Sequence, residues 1–482
     1  MNSIPSVVSP LSESGDSLHA LLLAQQAAFQ SDMLPSLAVR VDRLRRLNLL
    51  IESHAEELAA AISHDFGTRS LMEIRITETL VLQSGIRHAL RHLPHWMKAR
   101  RVPTALAYRP GRSMIMRQPL GIVGIISPWN YPLQLALAPL LGALAAGNRA
   151  MIKPSELTPA FSQALAECMA NIFAADEVAV VTGDASVGRQ FAALPFDHLV
   201  FTGSTAVGRE VAQAAAKNLT PVTLELGGKS PAIIDASCNL ESVIDRIAWG
   251  KLINAGQTCI APDYMLVPRG DVERFVALLR AGMTRLYPKF RSNPDYSGII
   301  NERHLRRLRE LIEDARGRGA TVIEVEPGDP PAAGGARQLP PTLLLNVSDT
   351  MRVMSEEIFG PILPIIAYDS LAEALAYINR HERPLALYWF GRNAAARDQV
   401  LAGTIAGGVS INDTLLHIAQ EGLPFGGVGA SGQGHYHGEF GFRQFSKEKP
   451  IFFQSRFSGG GIVRPPYKPS IERVLRWLSR FT

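Results

Sequence analysis

Residues 119–153 read PLGIVGIISPWNYPLQLALAPLLGALAAGNRAMIK, and this stretch decides the fold. From Pro119 to Asn148 the chain carries no charge. Its apolar length would suit a membrane span, but Pro119, Pro128, Pro132 and Pro139 interrupt it, with Ser127, Asn130 and Gln134 in the middle. Each interior proline removes a helix hydrogen bond that lipid cannot replace. The stretch therefore predicts a buried strand, a turn and a buried helix, followed by a second strand at AMIK (150–153). Downstream, VAVVTG (178–183), HLVFTG (198–203), TLEL (223–226) and PAIID (231–235) are short apolar runs separated by helix-length segments. Alternation of this kind over 121–235 implies a parallel, doubly wound α/β sheet. Thr158-Pro159 reads as a helix N-cap and first helical residue. Lys153-Pro154-Ser155-Glu156 is then a loop beyond a strand end.

Upstream, Leu37, Val41, Leu44, Ile51, Leu58 and Ile62 recur near a 3.6-residue period and predict an amphipathic helix over 31–62. A second helix is expected over 70–98. Next, RVPTALAYRPGRSMIMRQPLG (101–121) reads as a hairpin around Arg109-Pro110-Gly111. An isolated hairpin is marginal and needs another surface to pack on. Residues 240–430 repeat the strand–helix style and predict a second α/β domain. Gly328–Pro341, rich in Pro, Gly and Ala, reads as a surface loop. At the C-terminus IERVLRWLSRF (471–481) predicts a short basic amphipathic helix, either docked on the body or touching a membrane surface. Residues 1–18 read as a disordered tail.

The 482 residues are 46% hydrophobic and 19% charged, which is globular composition. Three cysteines, Cys168, Cys238 and Cys259, exclude a disulfide framework and offer no paired zinc ligands, so no metal site is expected. Sparse thiols fit a reducing, cytoplasmic compartment. A net charge of +5 over this length is weak support for a nucleic-acid partner, and none is expected.

Ligands of open α/β sheets bind beyond the carboxyl ends of the strands. There the sequence places Pro128–Pro132, Lys153–Glu156, Thr202–Gly208, Leu224–Lys229 and, in the second α/β part, Asn254–Cys259. Gly203 to Gly208 is a Gly-x-x-x-x-Gly turn opening a helix. It is either an anion site with free N–H groups or simply a tight turn. Gly427–Gly432 matches Gly-x-Gly-x-x-Gly but lies outside a strand–turn–helix unit, so the match is read as coincidence. Gly227-Gly228-Lys229-Ser230 resembles the end of a P-loop, yet Thr223 stands where its first glycine is required. Cys259 follows small residues that allow close approach of a substrate, or it is a buried structural cysteine. Cys168 reads as core. Cys238 lies in a polar loop after a strand. Glu225 sits in an otherwise apolar strand end, where desolvation makes it a plausible base unless it faces solvent.

Taken in order, Pro-Trp-Asn-Tyr-Pro (128–132), Lys-Pro-Ser-Glu (153–156), Phe-Thr-Gly-Ser (201–204), Leu-Glu-Leu-Gly-Gly-Lys (224–229), Gly-Gln-Thr-Cys (256–259) and Glu-Glu-Ile-Phe-Gly-Pro (356–361) resemble the NAD(P)-dependent aldehyde dehydrogenase superfamily. The resemblance runs from about residue 20 to 455. CIAPDYMLVP (259–268) and PFGGVGASGQGHYHGEFGFRQFSK (424–447) are similar to its class 3 branch. With NDTLLH (412–417) they resemble bacterial coniferyl aldehyde dehydrogenases.

The resemblance implies a role for each matching position. Cys259 would be the nucleophile and Glu225 the general base. Asn130 and the Cys259 N–H would form the oxyanion hole. Lys153 and Glu156 would bind the adenosine ribose, and Gly203 and Ser204 the pyrophosphate, with Gly208 and Leu226 in the same cofactor set. Glu357 would hold the nicotinamide ribose beside Phe359, and Trp129 would line the junction of cofactor and substrate. NAD is the implied cofactor, with NADP possible. The implied substrate is a small aldehyde, coniferyl-type first and fatty or aliphatic second. The implied architecture is a dinucleotide-binding domain (19–98 and 121–226), a catalytic domain (227–432), a β oligomerisation element (99–120 and 433–455) that makes a homodimer, and a basic extension (456–482) with no integral membrane anchor. A rival reading, a cofactor-free cysteine hydrolase or acyltransferase, needs a histidine beside Cys259; His198 and His417 are the candidates.

Overall fold

The computed structural model describes residues 15–326, 337–457, 464–467 and 470–479. Among these, the strands form three sheets. Strands β1 (Arg100–Val102) and β2 (Arg112–Pro119) are the predicted hairpin, joined antiparallel through residues 103–111. Strands β3 (Ile122–Ile126), β4 (Arg149–Lys153), β5 (Val178–Val180), β6 (His198–Gly203) and β7 (Val222–Leu226) are mutually parallel. Strands β8 (Pro231–Ile234), β9 (Tyr264–Pro268), β10 (Thr321–Glu324), β11 (Thr342–Leu345), β12 (Ile362–Tyr368), β13 (Ala386–Phe390) and β14 (Gly408–Ile411) build the second sheet, parallel except at β10. Strand β15 (Gly432–Gln433) closes the first sheet in the order β15-β7-β6-β3-β4-β5. Strand β16 (Ser446–Phe453) adds antiparallel to β2.

The order of the first sheet makes it doubly wound. From β3 the chain moves to β4 on one side and later to β6 on the other. The loops after β3 and β6 therefore flank the switch point where such sheets bind ligands. The uncharged stretch folds as predicted: β3, a turn, then helix Pro132–Ala146, which is buried on nearly every face. Pro132 starts it, and Gly147 ends it at φ 95°, the left-handed region glycine favours. No helix among the described residues is long and apolar enough to cross a membrane.

Several expectations are corrected. The helix predicted over 31–62 runs over Leu37–Phe66, and a separate helix, Gly15–Ser31, precedes it. Pro35 cannot donate a helix hydrogen bond, and the Ser36 hydroxyl accepts from Val39 N at 3.4 Å to start the second helix. Residues 15–18 of the predicted tail belong to the first helix, which buries Leu18 and Leu22 against the parallel sheet; residues 1–14 lie outside the described residues. PAIID pairs in the second sheet, beside β9 and β13, because Gly227-Gly228 turns the chain out of the first. Of the predicted surface loop 328–341, residues 328–336 lie outside the described residues, but Gln338–Pro341 is buried. Gln338 Nε2 there donates to the carbonyls of Asn293 and Tyr296, both at 2.8 Å. Cys168 is core as expected, its thiol facing Glu57 Oε2 at 3.9 Å. The three cysteines are free. The terminal basic helix spans Ile471–Leu478.

Candidate active site

The site is assembled from the carboxyl end of β7 and, contrary to the expectation that Asn254–Cys259 lies beyond a strand end, from the turn between helix Leu240–Leu252 and β9. Glu225 stands in β7, paired with Thr202 of β6 on one side and Gly432 of β15 on the other. Cys259 follows a turn in which Asn254 and Ala255 take left-handed φ values of 51° and 50°. For non-glycine residues this conformation costs energy and is typical of functional turns. Cys259 and Glu225 line one cavity of about 170 Å³. Its other walls are chiefly apolar, with Ile76, Val81, Leu135, Trp249, Leu415 and Phe425.

The electrostatics of the pair are unusual. Both Glu225 carboxylate oxygens are buried without a hydrogen-bond partner among the described residues. Burial holds its pKa well above the ordinary carboxylate range. The Cys259 thiol is pushed up to about 12, first by burial and then by the charges of Glu357 and Glu225. The Cys259 side chain therefore rests as a thiol.

Asn130 lies in the turn after β3 and is held from two sides. Its carbonyl accepts from Arg69 Nη1 at 2.9 Å and from Asn254 Nδ2 at 2.8 Å. Its own Nδ2 donates to Gln257 O at 3.2 Å, two residues before Cys259. Tyr131 and Thr258 hydroxyls bond at 2.7 Å, a second tie between the two turns. Arg69 is buried between Glu73 (3.2 Å) and Glu78 (3.0 Å). Glu78 in turn accepts from the N–H groups of Leu133 and Gln134, capping helix Pro132–Ala146. Glu78 sits in a π-helical turn, Arg75–Thr79. The sequence reading missed Arg69, Glu73 and Glu78, because no local pattern ties them to a turn sixty residues away. Asn254 and Gln257 lie within the quoted Asn-Ala-Gly-Gln-Thr-Cys stretch, where two polar residues among small ones were a signal.

Of the residues assigned to a dinucleotide, Lys153 and Gly203 end β4 and β6 on either side of β3, and Leu226 ends β7 beside Gly203. Ser204 caps helix Thr205–Ala216, its hydroxyl accepting from Val207 N at 3.4 Å. A Cβ on Gly208 would lie 2.5 Å from the Leu226 side chain, so helix and strand pack there at glycine distance. Lys153 is buried; its ammonium donates to Pro154 O at 2.8 Å and lies 3.9 Å from the exposed Glu156. Burial lowers its pKa, opposed by Glu156. Glu357 lies against Gly227, where a Cβ would strike its carboxylate. Its Oε1 has no partner among the described residues, and burial lifts its pKa to about 8. Trp129 meets Phe359 edge-on with ring centres 5.3 Å apart. An orphaned buried carboxylate oxygen, an ammonium that spends one of its three donors on Pro154 O, and glycine-lined turns fit a ribose-and-phosphate ligand.

A second network fixes the Glu357 loop. Lys229 pairs with Asp263 and donates to the carbonyls of Val353 (2.8 Å) and Glu356 (3.1 Å). The other Asp263 oxygen accepts from Ile358 N at 2.9 Å. Lys229, set aside as a P-loop remnant, thus clamps the segment carrying Glu357. Gly427–Gly432, read as a coincidental match, leads into β15, and Ser431 O accepts from Leu226 N at 3.1 Å.

Neither histidine of the rival reading lines the cavity of Cys259, and His417 Nε2 is buried without a partner among the described residues. His198 bonds the Thr223 hydroxyl at 2.8 Å and His417 the Ser410 hydroxyl at 2.9 Å. Burial lowers the pKa of each to about 4.

The chain is similar to known proteins in sequence and in fold. The sequence profile described as the aldehyde dehydrogenase family matches residues 10–451. A probable coniferyl aldehyde dehydrogenase of Pseudomonas aeruginosa is 51% identical over 458 residues, covering 95% of both chains. A coniferyl aldehyde dehydrogenase of a Pseudomonas species is 45% identical over 443 residues, covering 91% of this chain and 92% of that one. Among solved structures, a substrate-bound Staphylococcus aureus AldH superposes with a TM-score of 0.90 at 38% identity, covering 95% of this chain and 99% of the other. A PnpE complex with nicotinamide adenine dinucleotide superposes at 0.82 with 27% identity, covering 92% and 91%.

Proposed function

The chain belongs to the aldehyde dehydrogenase family, and from that premise we propose that it oxidises a coniferyl-type aromatic aldehyde to its acid with Cys259 as nucleophile and Glu225 as base. The observation that carries this reading is the shared cavity: a thiol and an unpartnered buried carboxylate face one apolar chamber. The names of the relatives and the apolar walls favour an aromatic aldehyde, with aliphatic aldehydes as the second choice.

In the proposed sequence the Cys259 thiol gives up its S–H proton to solvent, the sulfur bonds the aldehyde carbon, and the carbonyl oxygen becomes an oxyanion. Asn130 Nδ2–H and the Cys259 N–H stabilise it. A nicotinamide cofactor, when bound, supplies the acceptor for the hydride. The thioester left on Cys259 is attacked by water. Glu225 takes the water proton, the carbon–sulfur bond breaks, and the acid leaves. Asn130→Ala is expected to lower kcat ~10²–10³-fold, the usual cost of losing one oxyanion donor. Stopped-flow NADH formation checks it, and an unchanged first-turnover rate removes Asn130 from this role.

Lys153 and Glu156 are proposed to hold the adenosine ribose, Gly203 and Ser204 the pyrophosphate, and Glu357, Phe359 and Trp129 the nicotinamide end, with Gly208 and Leu226 shaping the floor. The Glu156 carboxylate would repel a 2′-phosphate, which favours NAD over NADP. In this division residues 19–98 and 121–226 bind cofactor and 227–432 carry the nucleophile. The β1-β2-β16 sheet, from 99–120 and 433–455, is the proposed homodimer contact, supported by exposed Phe452 and Phe453 on β16. A cytoplasmic setting belongs to the same proposal, resting on three free thiols. One experiment tests the reading: coniferaldehyde, benzaldehyde, hexanal and decanal assayed with each cofactor by NADH or NADPH absorbance. Coniferaldehyde with NAD is expected to give the highest kcat/KM. Turnover of none refutes the function, and preference for decanal refutes the substrate class.

A further inference from the structure

Behind the cavity of Cys259 lies a second, smaller one of about 20 Å³, the size of a single water site. The two share Val81, Gln134 and Tyr436 as a common wall. The far side of the smaller cavity is Glu421, His437 and Gly438, packed on Gly85 of helix Leu80–Trp96. None of these groups has a part in the chemistry described above.

Three features set the cluster apart from ordinary packing. Tyr436 is buried, and its hydroxyl has no partner among the described residues. Its backbone is fixed by reciprocal hydrogen bonds with Phe425 at 3.0 and 2.9 Å. His437 holds φ 101° and ψ 140°, a conformation that a residue with a side chain adopts only at a cost. Its ring is buried, stacks on Phe425 with centres 5.5 Å apart, and leaves Nδ1 without a partner among the described residues. Glu421 is half-buried, with one carboxylate oxygen 3.0 Å from where a Gly85 Cβ would be. Gly438 N–H donates to it.

We propose that Tyr436 and Glu421, held by the strained His437, are positioning residues that carry the hydrolytic proton from Glu225 to solvent. The proposal rests on Glu225 being the base. As water adds to the thioester carbon, its O–H bond breaks, Glu225 takes the proton, and the Cys259 sulfur keeps the C–S electron pair and takes up a proton from solvent, which balances the one its thiol gave up on attack. Glu225 must then lose that proton before the next turnover. Tyr436 accepts it across the larger cavity that both residues line, and passes its own hydroxyl proton, through a water in the small cavity, to Glu421. Glu421 reaches the surface and releases it. One proton crosses, and no electron moves.

The electrostatics agree. Burial, opposed by the Gly438 N–H, lifts Glu421 to about 7, where it both takes up and releases protons at neutral pH. Tyr436 is raised by burial and then by the charges of Glu225, Cys259 and Glu421, which places it among all three. The titratable groups around Glu421 are Tyr436, His437 and His88, whose Nε2 lies over Gly438. Burial and His417 hold His437 down near 4, and burial, His92 and Arg91 lower His88. Helix Pro132–Ala146 contributes the uncharged Gln134, Ala138 and Leu141 to this wall.

The test uses the full-length enzyme with benzaldehyde and NAD, comparing first-turnover NADH formation with steady-state kcat across pH. E421Q is expected to keep the first-turnover rate, lose about tenfold in kcat and lose the near-neutral inflection of its pH profile. Added imidazole should restore it, and E421D should stay close to wild type. Y436F should repeat the pattern of E421Q and carries the test if E421Q does not fold. A wild-type kcat and pH profile in both variants overturns the proposal alone. So does an equal fall in both rates that imidazole does not repair, because that marks a structural role. A wild-type enzyme without first-turnover NADH overturns the function itself.

Discussion

Cys259→Ala is expected to lower aldehyde oxidation on the order of 10⁴-fold or more, with cofactor binding retained. The size follows from chemistry. In the proposed mechanism the sulfur forms the bond that makes the aldehyde hydrogen a hydride, and alanine supplies no lone pair for it. The backbone N–H stays, and the missing sulfur borders an existing cavity rather than a packed core, so the fold should tolerate the change. Titration with NADH, read by fluorescence, should give the wild-type Kd. A second readout comes from the thiol itself. Its pKa of about 12, raised by burial and by the charges of Glu357 and Glu225, leaves little thiolate at neutral pH. Alkylation of Cys259 by iodoacetamide in the free enzyme should therefore be slow at pH 7 and rise about tenfold per pH unit. Turnover in the alanine variant within tenfold of wild type would remove Cys259 from the mechanism. A flat alkylation profile would remove the account of its resting state.

What the sequence made legible divides by range. The uncharged stretch at 119–148 could be read because burial on all sides and interior prolines leave a local signature. Cys259 and Glu225 could be read as candidates for the same reason: a carboxylate among apolar neighbours and a thiol after small residues are local anomalies. Their meeting in one cavity needed the resemblance or the coordinates. The buried bridge from Glu78 through Arg69 to Asn130 was illegible, because its members sit on a helix and a turn with no sequence relation. The clamp of Lys229 on the Glu357 loop was hidden likewise, since Lys229 and Asp263 are distant in sequence and the loop is farther still. The assignment of β8 to the second sheet depends on which neighbours it finds, which alternation of strands and helices does not specify. The strain at His437 is invisible from residue type, because a histidine between a tyrosine and a glycine gives no hint of a positive φ.

Glu225→Gln should slow kcat ~10²–10⁴-fold, the usual worth of a general base, while leaving first-turnover NADH formation largely intact. Glutamine keeps the shape and cannot take the water proton, so the thioester should accumulate and appear by intact mass as the acyl adduct on Cys259. The pH dependence separates this from a packing defect. Burial raises the Glu225 pKa well above its ordinary value, and the base form appears only as pH rises through it. Wild-type kcat should climb with pH across that range, and the glutamine variant should lose the climb. Stability gives an independent check. A carboxyl whose folded pKa lies above the unfolded one of about 4.3 favours its protonated form in the fold. The stability it contributes is complete below the unfolded value and is lost as pH rises through the folded one. Glutamine carries no proton to lose, so the Tm of the variant should gain on wild type as pH rises. Fast steady turnover without an acyl adduct would exclude Glu225 as the base. A pH-independent Tm difference would exclude the buried, protonated carboxyl on which both expectations rest.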